Sequence, residues 1–97
     1  RLPRDVRRKA EDEILRFIFK STVEGRSVHE ASIVYEMRTL LGKNAKLKIN
    51  VSQIAKVIAD LKKQGFINRE ADEDFDRGFR LALSPSGKLR VKMDNTS

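Results

Sequence analysis

The sequence predicts an α+β fold, mainly α, built from three helices, a two-stranded hairpin and a short closing helix. Three observations carry that expectation. Residues 50–67 (NVSQIAKVIADLKKQGFI) read as a capped amphipathic helix with a glycine stop. Two short, partly alternating strings, FINRE (66–70) and GFRLAL (78–83), flank a polar run, the pattern of a β-hairpin. Ser84 and Pro85 then supply an N-cap and a first-turn proline for a last helix.

Each element has a local cause. Asp5 is placed to cap a first helix that continues to Val23, with Ala10, Ile14, Phe17 and Ile18 on its inner face and Gly25 past its end. Arg7, Arg8 and Lys9 fall in its first turns, where positive charge opposes the helix dipole, and an anionic partner would offset that penalty. Ser27 with Glu30 three residues on reads as a capping box opening a second helix, which stops at Gly42. Its apolar face is Val28, Ala31, Val34, Tyr35, Met37, Leu40 and Leu41. Leu47, Lys48 and Ile49 form a short alternating run, expected as a small strand against the hairpin. In the third helix Asn50 and Gln53 make a capping pair. Val51, Ile54, Ile58 and Leu61 recur at i, i+3, i+7 and i+10 and are expected to be buried. Ser52, Gln53, Lys56, Lys63 and Asp60 are left facing outward, and Gly65 ends the helix. The boundaries expected are a basic N-terminal arm over 1–5, a wing hairpin over 66–83 and a disordered tail over 93–97. Helix, hairpin and short helix after two earlier helices make a winged helix-turn-helix layout.

At 97 residues the chain suffices for one core and not for two. Without cysteine it has no disulfide framework and no thiolate metal site. No apolar run reaches the ~18 residues of a membrane span, and no signal-peptide pattern is visible. An intracellular setting, cytoplasmic, nucleoid or nuclear, is expected. Beginning at Arg1 rather than methionine, the sequence reads as trimmed at its start, and a targeting segment could have been lost with it. Catalysis finds no support: His29 is the single histidine and sits in a helix-start turn, and no glycine-rich phosphate loop is present. No metal or other cofactor is expected. The acidic run Asp72, Glu73, Asp74 and Asp76 lacks the spacing and glycine of a calcium loop and reads as a solvated turn. Phe75 within it either packs back on the domain or is an exposed contact.

The net charge of +7, from 21 Lys and Arg against 14 Asp and Glu, favours a polyanionic partner. Its distribution is more telling. Arg1, Arg4, Arg7, Arg8 and Lys9 crowd the N-terminus, Lys43, Lys46 and Lys48 precede the third helix, and Lys88, Arg90 and Lys92 lie near the C-terminus.

The string SQIAKVIADLKKQGFI followed by DRGFRLALSPSGKLR resembles the recognition helix, wing and post-wing segment of MarR-like and PadR-like winged-helix regulators. Ile58, Leu61, Gly65 and Ile67 occupy an LxxLxxxGxI phrase, Asp76, Arg77 and Arg80 fall in the wing, and LSPSG (83–87) matches the phrase opening the next helix. The likeness covers the second half of the chain. It implies sequence-specific binding of double-stranded DNA in transcriptional regulation, and a homodimer on palindromic sites. Two features depart from it: the wing tip is acidic, and the long terminal helices through which those families dimerise are missing. Dimer surfaces expected here are the first helix around Phe19 and the segment Leu89, Val91 and Met93.

In the binding scheme that follows, Ser52, Gln53 and Lys56 meet base edges in the major groove. Arg4, Arg7, Arg8, Lys46, Lys48, Lys63, Arg77 and Arg80 neutralise phosphates, which fix position without reading sequence. Arg77 is the residue expected at the minor groove. Two other functions stay open. The domain could be a protein–protein module of a larger machine, docking through Asp72, Glu73, Asp74 and Phe75, or a replication or plasmid-partition DNA binder.

Overall fold

The computed structural model describes residues 2–42, 49–72 and 78–96, with the side chains of 40–42 and 94–96 outside that description. Helix α1 spans Arg4–Val23, α2 Glu30–Gly42 and α3 Val51–Lys63; strands β1 (Ile67–Ala71) and β2 (Phe79–Leu83) follow, then α4 (Pro85–Thr96). No described helix is long and apolar enough to cross a membrane.

Helix α1 buries Ala10, Ile14, Leu15 and Ile18, spaced to form one face. Phe17, assigned to that face from the sequence, is only half-buried, and Leu15 is fully buried in its stead. Pro3, not Asp5, holds the N-cap position and makes no side-chain cap; Asp5 lies in the first turn, where its charge suits the dipole. Helices α1 and α3 stop in the same way. Gly25 and Gly65 adopt φ of 76° and 83°. Paired bonds from Gly25 and Arg26 to Thr22 and Ser21, and from Gly65 and Phe66 to Lys62 and Leu61, satisfy the last carbonyls.

The second helix departs from expectation. It begins at Glu30, and residues 27–29 run ahead of it without helical structure. Leu81 N–H donates to Val28 O at 2.7 Å, which ties this connection to β2. With the helix starting at Glu30, Ser27 lies three residues ahead of it and does not hold the N-cap position of the expected capping box. The core-facing residues are Ile33 and Met37, both fully buried, with Val28 just before the helix; Ala31 is exposed and Tyr35 is 71% exposed. Residues 47 and 48 of the expected small strand lie outside the described residues, and Ile49 is in no strand.

The capping pair of α3 forms as the spacing requires. Gln53 N–H donates to Asn50 Oδ1 at 2.8 Å, and Asn50 N–H donates to Gln53 Oε1 at 2.9 Å. Ile54, Val57, Ile58 and Leu61 are buried. Val51 is 44% exposed: at the first helical position it lies beyond the edge of the core, and Val57 completes the apolar stripe. Asn50→Ala is expected to cost about 1 kcal/mol, read as a lower denaturation midpoint at unchanged m-value.

The hairpin is antiparallel, with Ile67 opposite Leu83, Arg69 opposite Leu81 and Ala71 opposite Phe79. Ile67, Leu81 and Leu83 share its inner face and close the core over α1 and α3. Ser84 is the joint between wing and α4. Its N–H donates to Phe66 O at 3.0 Å, its hydroxyl donates to Gly65 O, and Gly87 N–H donates to Ser84 Oγ at 3.1 Å. Pro85 occupies the first turn as its fixed φ favours. Helix α4 runs on to Thr96 where a tail was expected from residue 93; Ser97 lies outside the described residues. Val91, assigned from the sequence to a dimer surface, is buried in the core, whereas Leu89 and Met93 are exposed.

Candidate nucleic-acid interface

The sequence-predicted reading residues lie on the side of α3 away from the core. Ser52, Lys56, Ala59 and Lys63 follow one another at i, i+4, i+7 and i+11 and are all exposed, so they form a stripe opposite Ile54, Ile58 and Leu61. Lys56 and Lys63 make no ion pair among the described residues. Gln53 sits on the stripe's flank, half-buried, with its amide oxygen already accepting the Asn50 N–H. That bond fixes the side chain and leaves its amide N–H groups for a ligand.

Alongside runs a cleft of about 500 Å³ between α3 and the start of α1, lined by Ser52, Gln53, Lys56 and Asp60 on one wall and by Leu2 and Arg7 on the other. The N-terminal arm and the reading face are therefore brought together. Arg7 is half-exposed and ion-paired there: its Nη2 lies 2.7 Å from Asp60 Oδ2 and its Nε 3.5 Å from Glu11 Oε2. Arg8 is exposed and loosely paired with Asp12 at 3.8 Å, and Arg4 is exposed.

The basic cluster at the C-terminus divides. Arg90 turns inward, donating from Nη2 to Glu11 at 2.9 Å and to Asp12 at 2.8 Å, with its guanidinium 5.2 Å from the Phe66 ring centre. Burial works against its charge, but the hydrogen bonds and negative charge of Glu11 and Asp12 outweigh that, and its pKa is raised. Lys88 and Lys92 stay exposed and share with Arg80 and Arg26 a groove lined by β2, α4 and the end of α1. Arg80 Nε pairs there with Glu70 Oε2, 3.1 Å away, directly across the hairpin. Lys46, Lys48 and Arg77 lie outside the described residues, as do Glu73, Asp74 and Phe75.

Asp72 corrects one expectation. Its side chain is only 4% exposed and lies 2.8 Å from His29 Nε2, so it ties the base of the wing to the connection before α2 and is not an accessible docking carboxylate. His29 is accordingly part-buried and engaged. A wing residue missed in the sequence is Arg69, whose guanidinium stacks 4.1 Å from the centre of the Phe79 ring. The signal was present: in this register the two are diagonal neighbours on one face of the hairpin. No group of metal-ligating side chains occurs among the described residues.

Helices α2 and α3 as the helix-turn-helix, a hairpin wing and a closing helix define a winged-helix domain. The fold is that of MepR from S. aureus. MepR in its DNA complex is similar over 90% of this chain and 56% of its own, with TM-score 0.70 and 13% identity. A point-substituted MepR gives 0.70 over 90% and 55%, and MepR bound to ethidium bromide gives 0.66 over 86% and 51%, each at 13% identity. The chain thus spans about half the length of the MepR chains it matches. At that identity the likeness is one of fold, and it bears out the winged-helix architecture that the sequence resemblance implied. No protein-family profile matches the sequence, and no curated protein matches it.

Proposed function

We propose that this chain is the DNA-binding domain of a transcriptional regulator, reading duplex DNA with α3 in the major groove. The observation that carries this reading is the exposed stripe of Ser52, Lys56, Ala59 and Lys63 on a short helix capped at its N-terminus. Such a helix fits a groove ~12 Å wide, and Ala59 offers no bulk against close approach. The DNA complex of MepR, which shares the fold, supports the same use.

Ser52, Gln53 and Lys56 are the base-contacting residues in this reading. Lys56 donates to guanine acceptors, and the free amide N–H groups of Gln53 donate to an acceptor edge. Arg4, Arg8 and Lys63, with Lys46, Lys48 and Arg77, take phosphates; Arg80 joins them by leaving Glu70, an exposed pair of the kind that contributes little. The domain works without catalysis, inside the cell, as a homodimer on two-fold sites.

Selection from random duplexes tests it. The wild-type chain is expected to enrich a motif, and a two-fold motif would establish the dimer. Lys56→Ala is expected to relax preference at one position by about 1–3 kcal/mol. It is a cleaner probe than Gln53→Ala, which also removes a capping bond. With ~6 phosphates neutralised, log K falls with log salt at a slope of about −5. No enriched motif together with a flat salt response rejects the proposal.

A further inference from the structure

We infer that Arg7 is a positioning residue for α3: it fixes the presentation of the reading face by holding Asp60, and does not serve as a phosphate ligand. This rests on the DNA-binding reading above.

The Arg7 guanidinium is engaged on two sides, by Asp60 at 2.7 Å and by Glu11 at 3.5 Å. Glu11 is itself buried and held at 2.9 Å by Arg90 of α4. Asp60, Arg7, Glu11 and Arg90 therefore form a continuous run of ion pairs from the recognition helix across α1 to α4. A planar, forked cation suits this, because each nitrogen meets its own carboxylate in a fixed direction. Asp60 follows Lys56 by one turn, on the flank that carries Gln53, and the same cleft contains Arg7 and all three proposed reading residues. The location imposes two demands. An unpaired carboxylate beside the reading face would repel the DNA backbone, and Asp60, with its side chain 29% exposed, would lose its close partner if Arg7 moved to a phosphate. Arg4 and Arg8, both exposed, can take phosphates without breaking a close, part-buried ion pair, since Arg8 is only loosely paired at 3.8 Å.

The two roles for Arg7 give effects of opposite sign at Asp60, and this makes the inference testable. Arg7→Met, Asp60→Asn and the double variant are compared with wild type on the selected duplex and on a scrambled duplex, across a salt series, with thermal unfolding as a check on folding. In the positioning role both single variants lower the ratio of specific to non-specific affinity, by about fivefold. The double variant is no worse than either single, and the salt slope is unchanged. In the phosphate role Arg7→Met weakens all duplexes alike and reduces the slope by about 1, while Asp60→Asn, which removes negative charge, tightens binding. That pattern overturns the inference and leaves the DNA-binding reading standing. A lowered unfolding temperature with an unchanged specificity ratio also overturns it, since the pair would then be structural alone. If the wild-type chain selects no motif, the broader reading fails and this inference fails with it.

Discussion

Gly87→Ala is expected to destabilise the domain by about 2–3 kcal/mol, although alanine is the better helix former by about 1 kcal/mol. The reason is a close approach, not backbone conformation. A Cβ at residue 87 would sit far inside contact distance of the Phe66 carbonyl oxygen and 3.3 Å from Leu83 Cδ2. The carbonyl has no freedom to move aside, because it accepts the Ser84 N–H at 3.0 Å and belongs to the turn that closes α3. Relief would require α4 to shift away from the hairpin, and Val91, one turn further along α4, is fully buried and would shift with it. Chemical denaturation should show the loss as a lower midpoint, and Gly87→Ser should lose at least as much. An alanine variant as stable as wild type would mean that α4 does not seat on Phe66. The same contact gives a physical reason for the glycine in the LSPSG string: the helix after the wing can lie against the end of α3 only where it has no side chain.

What the sequence made legible was local chemistry. Asn50 with Gln53, Ser84 with Pro85, and the stops at Gly25 and Gly65 are decided within a few residues of chain, and each sits in the structure as its spacing requires. The outward placing of Ser52, Lys56 and Lys63 followed from the same periodicity. Errors arose where a distant partner decided the outcome. The bond from Leu81 N–H to Val28 O joins residues in different halves of the chain, and the second helix begins at Glu30, not at Ser27. Within α2, Ala31, Val34 and Tyr35 make as plausible an apolar stripe as Ile33 and Met37; only packing against α1 and α3 separates them. The ion pairs of the basic residues were hidden for the same reason. Arg7 pairs with Asp60 across 53 positions and Arg90 with Glu11 across 79, so two residues of the basic clusters are ion-paired within the domain. The i, i+4 pairs of Arg7 with Glu11 and Arg8 with Asp12 were visible as spacing and also explain how α1 tolerates cations in its first turns.

Arg90→Met is the other large expected effect, a loss of about 2–4 kcal/mol. Glu11 and Arg90 are each nearly enclosed, with side-chain exposures of 10% and 13%, and Asp12 is at 19%. Taking charges out of water is costly, so the pair by itself contributes modest stability, and Arg90 Nε adds to the cost because it is buried without a hydrogen-bond partner among the described residues. The asymmetry lies in breaking it. Removing Arg90 strands Glu11, whose remaining cation, Arg7, reaches it only at 3.5 Å and is shared with Asp60. Asp12 suffers less because Arg8 stays within 3.8 Å. The converse substitution, Glu11→Met, leaves Arg90 paired with Asp12 at 2.8 Å and should cost less than Arg90→Met. Combining the two removes the stranded charge, so Arg90→Met/Glu11→Met should recover much of what Arg90→Met alone loses. Denaturation midpoints of the three variants decide the matter: losses that simply add would show that the cluster contributes as independent surface charges, and a recovered double variant would show one enclosed unit joining α1 to α4.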